Sequence, residues 1–246
     1  MPTLTPTPIP VAHSGAQPRW LRPVLWGVMA LNLSLIAFQL VLYPALLAMP
    51  DGWSFVLALV ILLAIYAGVV HALPIIVAHV SGGAGALIVG TRIGLVAAMI
   101  EALNISLESL VAMPQAVTAV VTGIFMLSAF ALWGTVGMLV AHRTQSVVSG
   151  ALAAVWSAII TMLLAVTYGF ALLALAWPRL AAFEATDPDF LRSHWDDLHA
   201  FTIANTFSNG ATHFVEAPLI AFVVGGLGAS IGKFLATARA VKAAAH

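Results

Sequence analysis

Polar residues are sparse along this chain and fall in clusters, leaving six apolar runs at about 24–49, 53–80, 87–112, 117–141, 147–177 and 213–234. Each is long enough to cross a bilayer as a helix, which takes roughly 20 residues, and none shows the ten-residue alternation of a transmembrane barrel strand. The pattern predicts an all-α integral membrane protein, a six-transmembrane-helix bundle. One sizeable polar stretch interrupts it, 178–212, between the fifth and sixth runs. Its middle, DPDFLRSHWDDLHAFTIANTF, sets Phe190, Trp195, Leu198 and Phe201 among charges. That spacing fits one amphipathic outer-surface helix at headgroup depth, or a helix running straight on into the sixth run.

Composition supports the same class. Of 246 residues 62% are hydrophobic and 7% charged, against roughly a quarter charged in a soluble domain, so a water-facing surface cannot be built. Net charge is zero, which gives nucleic acid nothing to hold; cysteine is absent, which removes disulfides, thiolate metal sites and thiol catalysis. The chain divides into a disordered, proline-rich cytoplasmic tail (1–22), the membrane domain (23–237) with its outer loop (178–212), and a short cytoplasmic tail (238–246). Charge sorting sets the orientation. With six spans and both termini cytoplasmic, Arg19, Arg22, Arg92, Arg143, Lys233, Arg239 and Lys242 fall inside, and only Arg179 and Arg192 outside. Asp51, Glu184, Asp187, Asp189, Asp196 and Asp197 fall in the outer loops, leaving Glu101, Glu108 and Glu216 within apolar runs. The expected location is the cytoplasmic (inner) membrane. Glycine-rich pieces at 81–85 and 225–232 read as close helix contacts, with Gly228 and Gly232 at GxxxG spacing.

An ionisable group within the bilayer costs enough to be a functional-site candidate by default. Glu101 falls near the middle of the third run, and Asn104 and Glu108 follow at i+3 and i+7, within an arc of about 60°. Asn205, Asn209, His213 and Glu216 are spaced 4, 4 and 3, within about 80° if helix is continuous there, and Thr202 extends the stripe outward. Facing each other, the two stripes would line an outward-opening cavity ending near Glu101. The alternative is interhelical hydrogen bonding that only holds the bundle together.

His213, Glu216, Glu108 and His199 form a possible imidazole and carboxylate set for a transition metal at the outer face. Glu101 and Glu108, about 10 Å apart along the helix axis, cannot share one ion. Haem is a weaker reading, needing His71 or His79 paired with His142 at one depth. The expected function is transport or permeation of a small solute or cation through the polar cavity. The alternatives are a structural or accessory subunit of a larger membrane complex, and a membrane metalloenzyme or redox protein. Expected partners are the lipid bilayer and either further copies of the chain or other membrane subunits.

Overall fold

The computed structural model describes residues 20–49, 51–79 and 83–244, and folds them into helices with no strand among them. The order is α1 (Leu21–Leu42), a 3₁₀ turn (Pro44–Ala48), α2 (Gly52–His79), α3 (Gly83–Leu110), α4 (Gln115–Thr144), α5 (Val147–Leu175), α6 (Trp177–Glu184), α7 (Pro188–Ser193) and α8 (Leu198–Ala244). Among the described residues six helices, α1 to α5 and α8, are long and apolar enough to cross a membrane. This is a multi-pass helical membrane protein. Successive spans alternate in direction, so α1 starts and α8 finishes at one end of the bundle, called here the terminal end. The α6–α7 segment lies at the other, the loop end.

The centre of the bundle is α5, whose most apolar stretch is 56% buried against 11% for α4. It is surrounded by α1, α3, α4 and α8. Small residues set these distances. On α3, a Cβ at Gly90 would stand 2.6 Å from the Ala153 carbonyl oxygen and one at Gly94 2.7 Å from that of Ser157, so only glycine lets α3 seat on α5. The terminal halves of α4 and α8 come closer still. A Cβ on Gly228 would run into the Gly134 carbonyl, and one on Gly232 into that of Met138. Without a hydrophobic driving force between helices in lipid, such backbone approach is a main source of association. Buried hydrogen bonds add register: Asn32 Nδ2 donates to Thr167 Oγ1 at 2.7 Å between α1 and α5, and Trp156 Nε1 to Thr91 Oγ1 at 3.0 Å between α5 and α3.

Inside α8, Pro218 has no amide hydrogen, so the carbonyl of Phe214 loses its helical donor. Tyr66 of α2 replaces it, its hydroxyl donating to Phe214 O at 2.9 Å.

Element ends depart from the apolar runs at several points. The first span ends at Leu42 and not near Met49, because Pro44 restricts Tyr43, which leaves the helical region at φ −135, ψ 66. The polar stretch after α5 is not one amphipathic helix; α7 stops where His194 turns left-handed at φ 58. Helix then restarts four residues later, with Asp197 Oδ1 accepting from the Ala200 amide at 3.0 Å, and runs unbroken from Leu198 to Ala244. Continuation into the sixth span is therefore the form adopted. The tail expected over 1–22 lies outside the described residues up to residue 19, while Leu21 and Arg22 already belong to α1. At the other terminus α8 runs on to Ala244, so the described part of the expected tail (238–246) is helical.

Candidate functional site

Packed tightly at the terminal end, α4 and α8 separate toward the loop end, and α3 and α5 complete the walls of the space between them. The result is a cavity of about 780 Å³. From α3 it receives Glu101, Asn104 and Glu108, and from α8 Thr202, Asn205, Asn209, His213 and Glu216. The two stripes thus share one cavity, as helical periodicity requires once their helices flank the same space. Asn209 Nδ2 donates to Asn205 Oδ1 at 3.3 Å along the α8 stripe. His213 and Glu216 are exposed, whereas Asn104 is buried and its side-chain oxygen has no hydrogen-bond partner.

Sequence reasoning passed over the other polar walls. Thr118 and Thr122 line the cavity from α4, and the Thr122 hydroxyl donates to the Glu108 carboxylate, tying α3 to α4. Their i, i+4 spacing was a readable signal. The closed end is aromatic and apolar, with Phe130, Trp133, Met162, Ala217 and Ile220, and Trp133 Nε1 is buried without a partner. Over the loop end, α6 and α7 contribute Phe183, Glu184, Asp187, Asp189 and Arg192. Arg192 is bonded to Asp189. Burial pushes the Glu184 carboxyl up to about 7, and Asp187 and Asp189 add repulsion in the same direction. No pattern in the sequence marked Glu184, since its position depends on how α6 folds back over the helices.

The four-residue metal set does not assemble. His199 stacks on Trp177 with ring centroids 3.7 Å apart and lies 4.6 Å from the Tyr43 ring, away from the cavity that holds His213, Glu216 and Glu108. Position on α8 explains this: with helix continuous from Leu198, His199 lies about 21 Å along the axis from His213 at 1.5 Å per residue, beside the turn that follows α1 and beside α6. Among the described residues no three of His, Asp and Glu approach closely enough to hold an ion. Neither haem pairing is supported by helix packing. α2, bearing His71 and His79, forms no packed interface with α4, bearing His142. His79 Nδ1 instead pairs with the Ile75 carbonyl at 2.7 Å, and His142 lies 3.4 Å from Arg239.

No family model, no curated protein and no solved structure matches this chain. What the arrangement can do must come from its own chemistry. Three glutamates within spans share one cavity, more acids lie over its mouth, and the lone arginine of its lining is already paired. Such walls favour positive charge.

Proposed function

We propose that the protein moves a small solute or cation across the cytoplasmic membrane, with the loop end outside and both termini in the cytoplasm. The observation that carries this reading is the convergence of Glu101, Glu108 and Glu216 on one cavity lined by two helices' polar stripes. Carboxylates within a bilayer are expensive, and a substrate path is one of the few roles that repays them. Glu101 is the deepest acid of the α3 stripe, where an arriving cation and a departing proton can exchange on one carboxylate. Toward the terminal end the path is shut by the glycine contacts of α4 with α8, so release on that side requires these helices to part. Closure at the terminal end is expected of one state of an alternating mechanism or a gated pore.

The test is cation uptake into proteoliposomes, with sodium, potassium, manganese and a primary ammonium offered separately. Glu101→Gln keeps volume and most hydrogen-bonding capacity but removes the exchangeable charge; it is expected to elute as the parent does in detergent and to lose uptake. Undiminished uptake in the Gln protein at every pH, or no uptake of any cation by the parent, would overturn the proposal.

A further inference from the structure

The dimensions and walls of the cavity narrow the class of cation, on the reading that this cavity is the transport site. A volume of about 780 Å³ is far larger than a bare ion needs and falls within the range of sites for whole organic ligands, some 300–1,000 Å³. A transition-metal ligand set is also missing, because no three of the described His, Asp and Glu residues come together. Aromatic rings stand at the closed end in its place: Phe130 and Trp133 have centroids 5.8 Å apart, and Phe170 joins them in the lining. Ring faces pack against the aromatic or apolar body of an organic ligand, a contact that a bare ion cannot make.

A second observation specifies the head group. Asn104 is only 8% exposed, lines the cavity one turn from Glu101, and has a side-chain oxygen that accepts no hydrogen bond. A buried acceptor left open is destabilising, and a donor placed there satisfies it. Asn104 and Glu101 offer an inorganic cation too few of the oxygens its coordination shell requires, whereas a protonated amine carries both the charge for Glu101 and the N–H for Asn104.

From these we infer that the cavity takes an organic ammonium ion, a protonated amine on an aromatic or bulky apolar body. The ammonium group lies between Glu101 and Asn104, and the apolar body against Phe130 and its neighbours.

Equilibrium binding of tritiated phenethylammonium to the purified full chain in detergent tests this. Binding is expected to saturate, to be displaced by unlabelled phenethylammonium, and to resist sodium, potassium or manganese at matched ionic strength. Asn104→Leu, close to the parent side chain in shape, is expected to raise Kd about tenfold or more, since a hydrogen bond to a charged group is lost. Phe130→Leu keeps apolar bulk while removing the ring and is expected to weaken binding severalfold through loss of the ring-to-ring contact with the phenethyl group. Benzyltrimethylammonium, which has no N–H, should bind the parent more weakly than phenethylammonium and be indifferent to Asn104→Leu. Non-saturable uptake of label that is equal in the parent and in Glu101→Gln is partition into micelles and overturns the inference. So does binding or liposome uptake confined to inorganic cations, which would leave the transport reading standing. Absence of both ammonium binding and cation uptake would remove the two together.

Discussion

At Glu184, burial and the neighbouring Asp187 and Asp189 all disfavour the charged carboxylate, while Arg192, the nearby cation, is engaged with Asp189. The sign of the pH effect follows. A carboxyl whose pKa is higher in the folded cap than in the opened one holds its proton more tightly when folded, so the cap is firmest in acid. It loosens as pH rises from the ordinary carboxylate range through about 7. Hydrogen exchange over 177–193 is expected to quicken across that interval in the parent and to be nearly flat in Glu184→Gln. A parent profile as flat as the Gln variant's would contradict the assignment. At this scale the sequence was informative wherever helical period alone decides neighbours. Glu101, Asn104 and Glu108, and likewise Asn205 to Glu216, needed only 100° per residue to be grouped. Glu184 and Trp133 needed knowledge of which element folds over which, and His199 could reach His213 only if the residues between them formed a loop, whereas they are continuous helix.

Among the elements, α4 and α8 are joined through backbone contact at glycine, and this makes the consequence of adding one methyl group highly position-dependent. Gly228→Ala must push the Gly134 carbonyl away, whereas a Cβ at Gly226 meets nothing within 4 Å. In detergent, Gly228→Ala is expected to lower the unfolding midpoint by several degrees, and Gly226→Ala to leave it unchanged or slightly raise it through helix propensity. Equal midpoints for the two proteins would rule out the close approach. Gly228 and Gly232 were identifiable as a contact pair from spacing, though not their partner helix. Helix ends were less legible. Pro44 stops α1 by a local rule that the apolar run around it conceals, and the 47 residues of α8 hide their start among charges that suggested a loop.

For the molecule as a whole, the six spans follow from composition and run length, because the bilayer imposes one length on every crossing. The proposed orientation rests on the sequence order of the basic residues, seven assigned to the cytoplasmic side and two to the outside. Reporter domains fused after Arg143 and after His246 are expected to register cytoplasm, and one inserted within 184–192 the outside. An outside signal after His246 would break the even number of crossings. The cavity itself was legible only as two stripes of compatible depth. Its volume and its aromatic closed end arise from the divergence of α4 from α8, which no single helix encodes.

The Tyr66 hydroxyl and Pro218 also constrain how this sequence can drift. Tyr66→Phe strands the Phe214 carbonyl that Pro218 has left without an amide, and a buried unpaired carbonyl costs about 1–3 kcal/mol. Pro218→Ala restores the amide and makes the hydroxyl dispensable. The two substitutions are therefore expected to be non-additive, with Tyr66→Phe harmful in the parent and nearly silent in a chain already carrying Pro218→Ala, when unfolding midpoints are compared in a double-mutant cycle. Additive losses would mean the hydroxyl does not serve that carbonyl. If the pair behaves as expected, a lineage loses the tyrosine safely only after it has lost the proline, which gives these two distant positions a fixed order of replacement.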